Sequence, residues 1–228
     1  MSKRKPTKPS SESGAESANG AAIPCKKPLK TGLGDDVDKE IIKCPKFEEN
    51  MRFLQNNGWS IEYGEKDKGS YCNRNAKKIV IDKNQEGKTS SILETLAHES
   101  GHAMYTPDPY VEPDGLTKEA YASKNANRSL KDEGEATLVN IEMKDCLKKN
   151  GGMKIGVAGT QASKYQKVAE KYPSSKDRDK ARQEIADIFA DNEHPSTDPG
   201  KTYRQYYEKP FNDFYDKLAN EKTTVKNK

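Results

Sequence analysis

The chain has 228 residues, 32% of them hydrophobic and 33% charged, which suits one ordinary domain but is too polar for all of it to bury a core. Residues 1–30 carry seven Lys and Arg against two Glu, a net +5 against +4 for the whole chain, leaving the rest at −1. A body without a charge excess lacks the basic face that nucleic-acid binding requires, and no apolar run approaches the length of a membrane span.

Taken in chain order, residues 1–40 read as a disordered basic arm. The reading is plainest over 1–34, where Ser, Gly, Ala, Pro and Lys leave almost nothing to bury. No apolar stretch follows the leading Lys and Arg, so no cleaved secretory signal is expected. The protein is expected to be made soluble in the cytoplasm, any export using a route that needs no such signal. Pro45 opens a helix that stops near Gly58, with Phe47, Met51, Phe53 and Leu54 as its apolar side. The alternation in 59–65 and 76–84 predicts two antiparallel strands. Ser91 to Glu94 has the form of a capping box, opening a helix that runs to Tyr105 and buries Ile92, Leu93, Leu96, Ala97, Ala103 and Met104. Three prolines and a glycine make 106–117 a loop.

A long helix covers 118–149, with Asn127 the one place for a break, and ends at Gly151-Gly152. Helices follow over 161–171, stopped by Pro173, and over 176–192, with Ala181, Ile185, Ile188 and Phe189 at helical spacing. The last helix, about 202–220, carries Tyr203, Tyr206, Tyr207, Phe211, Phe214, Tyr215 and Leu218, a stripe that reads as core. The fold class is α+β, helix-rich with a small antiparallel or mixed sheet, in a chain expected to be a monomer. Cys25, Cys44, Cys72 and Cys146 show no C-x-x-C spacing. They are free thiols or two disulfides in any of three pairings.

The stretch that speaks of chemistry is His98-Glu99-Ser100-Gly101-His102. Residues four apart lie one turn apart on the same helix face, so both imidazoles can reach one ion. Glu99 projects at another angle, placed to take a proton from a metal-activated water without being a ligand. This is the H-E-x-x-H pattern of zinc hydrolases. Catalytic zinc takes three protein ligands and leaves a fourth position open, so a third must come from elsewhere. The downstream candidates are His194 and the run Asp132-Glu133-Gly134-Glu135-Ala136-Thr137 on the next helix. Gly134 costs that helix roughly 1 kcal/mol relative to Ala, which points to close packing on a neighbour.

Together, His98-Glu99-x-x-His102 and Asp132-Glu133-Gly134-x-Ala136-Thr137 resemble the gluzincin metallopeptidases over residues 98–137. The aminopeptidase branch carries Asn-Glu-Gly-x-Ala-Ser/Thr on its second helix, and thermolysin-like members carry an Asn-Glu pair there. The resemblance implies a zincin-like peptidase domain over 41–228, with Zn2+ bound by His98, His102 and Glu133. Glu135 is the competing third ligand, because another group of intracellular H-E-x-x-H peptidases places its ligand in a Glu-x-Glu-Ala sequence. It also implies a His or Tyr that stabilises the oxyanion, for which His194 and Tyr203 are the candidates. Finally, it makes the strand before the zinc helix a sheet edge for an extended substrate, a peptide or a protein. A compact zincin behind a basic arm is similar to the metallopeptidase toxin domains that bacteria deliver into competitors, which implies a secreted effector acting on a peptidoglycan peptide or a target-cell protein, with an inhibitor or immunity protein as partner. An intracellular regulatory protease is equally compatible with the residues. The competing reading is an inactive zincin-fold binding module that recognises a protein through its tyrosine-rich last helix.

Overall fold

The structure, a computed structural model, describes residues 27–195 and 197–226. Most of the expected arm, with Cys25, lies outside the described residues. The packed body nevertheless begins before residue 41. Leu29, Thr31 and Leu33 are buried, and helix α1 (Asp35–Ile41) buries Val37 and Ile41. Asp38 ties the two together, its carboxylate accepting from the Thr31 amide at 3.0 Å and hydroxyl at 2.6 Å. A few apolar residues among Lys and Gly are too sparse to show a period, which is why composition assigned this stretch to the arm.

Helix α2 (Pro45–Asn56) starts as expected, with Pro45 in its first turn and Cys44 Sγ accepting from the Phe47 amide. Phe47, Met51 and Leu54 face inward, but Phe53 is exposed. The chain leaves through Gly58 at φ 80°, where a side chain would be strained.

The sheet differs from the expectation. Strands β1 (Ser60–Tyr63), β2 (Tyr71–Asn73) and β3 (Lys78–Ile81) lie in the order β1-β3-β2. β1 runs parallel to β3, with Ile61 opposite Ile79, while β2 pairs antiparallel with Cys72 opposite Ile79. The chain crosses from β1 to the far edge and returns through a tight turn, so β3 enters between the other two. Asp82 anchors that crossing, its carboxylate accepting from Gly69 N at 2.7 Å and Asn84 N at 2.8 Å. Thus β3, expected as the substrate-binding edge, is the central strand with Ile79, Val80 and Ile81 buried, and β2 is an edge.

Helix α3 (Thr89–Met104) starts ahead of the expected capping box, at a Lys88 N-cap with no side-chain cap. Glu94 does not reach back to the helix start but accepts from the Gly156 amide at 3.0 Å. Helix α4 (Lys118–Lys149) is capped by the Thr117 hydroxyl and runs unbroken through Asn127. At 1.5 Å per residue it is about 48 Å long. It is followed by α5 (Ala162–Lys171), α6 (Arg178–Asn192) and α7 (Tyr203–Lys226).

The long helix is a wall shared by two cores. On one side Val139, Met143 and Leu147 meet the sheet, α1, α2 and α3; on the other Leu130, Leu138 and Ile141 meet α5 and α6. A disulfide joins Cys44 to Cys146 with Cα atoms 5.5 Å apart, tying the start of α2 to the end of α4. Cys72 is free. The aromatic stripe of α7 is not the buried core expected: no described side chain of that helix is fully buried, and Tyr206 and Phe214 are exposed. Among the described residues no helix is long and apolar enough to cross a membrane.

Candidate metal centre

The α3–α4 contact brings the sequence-distant groups together, and Gly101 makes it possible. A Cβ there would stand 2.6 Å from Ala136 Cα, so the two backbones approach as they could not with any other residue. The helices face each other just where His102 meets Asp132 and Glu133.

Glu133 Oε2 lies 3.4 Å from His98 Nε2 and 3.4 Å from His102 Nε2, with the three side chains only 12%, 13% and 11% exposed in the order His98, His102, Glu133. Their ligand atoms all fall within 4.8 Å of one another. Two imidazole nitrogens and one carboxylate oxygen, converging and half-sealed from water, form the donor set that Zn2+ accepts. The other ring nitrogen of His102 bonds Asp132 Oδ1 at 2.9 Å, and Arg74 Nη2 donates to the same oxygen at 2.6 Å. Such a carboxylate would fix the proton on Nδ1 and leave the Nε2 lone pair free for an ion bound there. His98 has no such support, its Nδ1 being buried without a hydrogen-bond partner.

The electrostatics follow from this crowding. Burial opposes charge on His102, but Glu133 and Asp132 outweigh it and hold its pKa well above the ordinary value. Burial likewise works against the Glu133 carboxylate, yet His102 and His98 pull its pKa far below the usual range. Glu99 is buried beside them, and desolvation raises its pKa against the opposing charges of His102 and His98. Cys72, on β2, lies near enough to feel the His102 charge, while burial pushes its thiol up to about 11.

The remaining candidates separate. Glu135 is no part of the cluster: Oε1 accepts from Arg178 at 2.9 and 2.7 Å and Oε2 from Arg182 at 2.7 Å, facing α6. Two residues from Glu133 on a helix, it points elsewhere by geometry. Gly134 shows the expected close approach, since a Cβ would stand 2.3 Å from the Arg182 carbonyl oxygen of α6. His194 is exposed beyond α6, its Nδ1 bonded to the Lys201 carbonyl at 2.9 Å, outside the cluster. Tyr203 lies by the centre: burial first, then the charges of Glu133, Glu193 and Glu99, raise its pKa.

Sequence reasoning missed two supports. Tyr207 donates to Glu133 Oε1 at 2.7 Å; its only sequence signal was a place one turn from Tyr203 in an aromatic stripe. Arg74 lies in the turn after β2, with no motif to mark it. No protein-family model, curated protein or solved structure matches the chain. The centre is therefore read from its own geometry.

Proposed function

We propose that this chain is a zinc-dependent peptidase of the zincin type, in which His98, His102 and Glu133 hold the ion. The observation that carries the reading is the convergence of those three ligand atoms within 4.8 Å beside the buried Glu99 carboxylate. Bound there, zinc would supply a Lewis acid that polarises the scissile carbonyl and acidifies water toward neutral pH. Glu99 takes the proton of the attacking water and returns it to the leaving amine, and burial makes it a stronger base than an exposed glutamate. Tyr203 is the better placed of the two oxyanion candidates, since its phenol stands close enough to Glu133 and Glu99 to feel their charges. An extended peptide would pair with the outer edge of β2, the strand that carries Cys72 toward the centre.

The Cys44–Cys146 bond suits an oxidising compartment, which favours a secreted effector, restrained at home by an inhibitor protein, over a cytosolic regulatory protease. The decisive experiment pairs elemental analysis with hydrolysis of a quenched peptide library and of peptidoglycan stem peptides. We expect one zinc per chain, lost in His102→Ala. Glu99→Gln should retain the zinc and lose at least about 100-fold in turnover. A Glu99→Gln variant that cleaves as fast as the parent would overturn the mechanism, and a parent that binds no zinc would overturn the reading.

A further inference from the structure

Helix α7 lies along α4 without a single fully buried described side chain, and Pro210 removes one of its internal hydrogen bonds. The helix is held by ring packing, Phe211, Phe214 and Tyr215 lying against Tyr121 at centroid distances of 5.7, 6.3 and 6.0 Å, and by specific polar contacts. Tyr215 donates to the Leu116 carbonyl at 2.9 Å, Lys118 pairs with Asp216 at 2.5 Å, Arg204 pairs with Asp191 at 2.7 Å, and the Tyr203 ring packs on Phe189 at 4.6 Å. Beside these anchors, the Tyr207 hydroxyl reaches the ligand set, at 2.7 Å from Glu133 Oε1.

That bond has a geometric consequence. A glutamate side chain has three rotatable torsions, and ordering it costs free energy whenever it must present one oxygen in one direction. With Oε1 held by Tyr207, Oε2 is left equidistant, at 3.4 Å, from the two Nε2 atoms. We propose that Tyr207 is a positioning residue that presents Glu133 to the ion, so that metal occupancy and the seating of α7 over the centre are thermodynamically coupled. The proposal rests on the zinc reading above. Coupling is reciprocal: whatever a seated α7 adds to metal affinity, the metal adds to the seating of α7. The Tyr207 hydroxyl is thereby spent on Glu133, which leaves Tyr203 as the phenol for the reacting oxygen.

The test uses the full chain and zinc alone. Tyr207→Phe removes the hydroxyl and keeps the ring contacts with Tyr203 and Tyr206, at 5.5 and 5.6 Å. Zinc affinity, measured by competition with a chromophoric chelator, should fall 10- to 100-fold, the range for loss of a ligand's supporting partner. Amide hydrogen exchange across α7 should slow when zinc is added to the parent, and respond much less in Tyr207→Phe. Tyr215→Phe, which loosens α7 far from the ligands, should weaken zinc binding a few-fold, whereas Tyr206→Phe should not. Undiminished affinity in Tyr207→Phe overturns the positioning role. Equal zinc-dependent protection of α7 in both proteins, or unchanged affinity in Tyr215→Phe, overturns the coupling. A parent that binds no zinc fails the underlying reading itself, and is thereby distinguished from these outcomes.

Discussion

His102 is gripped at both ring nitrogens, by Asp132 at 2.9 Å and toward Glu133 at 3.4 Å, and this decides how metal and protons compete. Without an ion, the two carboxylates keep the imidazole protonated to well above its ordinary range. A zinc ligand must be neutral, so the ion has to expel that proton. Zinc uptake at pH 7 is therefore expected to release about one proton, read by titration calorimetry in two buffers of different ionisation enthalpy. Heats that do not depend on the buffer would show that His102 is already neutral. The sign for stability follows from the same groups. The raised His102 contributes fully below its unfolded value and loses its contribution as pH rises through its folded one. The depressed Glu133 contributes above its unfolded value and loses it as pH falls through its folded one. The metal-free protein should thus draw most from this pair at mildly acidic pH, between the two unfolded values. Asp132→Asn should cost 10- to 100-fold in zinc affinity, because it removes the charge that fixes the His102 tautomer and also frees Arg74.

Helix packing turns one chemical change into two different outcomes. In Gly134→Ala the new methyl would stand 2.3 Å from the Arg182 carbonyl oxygen. Backbone cannot step aside as a side-chain tip can, so α6 must shift. Overpacking of about 1–3 kcal/mol should exceed the helix-propensity gain of roughly 1 kcal/mol, and urea unfolding should show a net loss with zinc affinity nearly intact. Gly101→Ala instead meets Ala136 Cα at 2.6 Å, prising α3 from α4 beside the ligands, and should lower zinc affinity as well as stability. Equal effects of the two variants on zinc would contradict this division. The same elements mark where sequence is legible. The helices announce themselves through prolines, closing glycines and apolar spacing, although the box read at Ser91 to Glu94 does not cap α3, and Gly134 betrayed close packing because a poor helix former needs a tertiary reason. The sheet did not. β2 is three residues, Tyr71, Cys72 and Asn73, on an exposed edge with no apolar period. β3 reads Ile79-Val80-Ile81, a continuous run that marks a strand buried on both faces and so argues for a centre rather than an edge. Tyr207 was hidden for another reason: its role depends on where α7 docks, which no local pattern encodes.

At the scale of the molecule, two cores share α4, and the disulfide makes one loop of nearly everything that builds the candidate metal centre. Cys44 and Cys146 are 102 residues apart, and the span between them contains the sheet, α3 and most of α4. Spacing alone left the pairing open, because what brings these two thiols together is the packing of α2 against α4 in the first core. Closing a loop of that length removes roughly 4–5 kcal/mol of unfolded-chain entropy in the chain-entropy account, against about 5–15 kcal/mol for the whole stability of a typical domain. Guanidinium unfolding with and without reductant should therefore show a large drop in midpoint, reproduced by Cys146→Ser and absent in Cys72→Ser, whose thiol is free. Zinc should restore part of the loss, since a ligand that binds only the folded chain stabilises it by mass action. The rescue should fail in His102→Ala, which retains the disulfide loop and lacks the ligand. An unchanged midpoint on reduction would mean that the two cores hold without the bond, and that its service is not to stability.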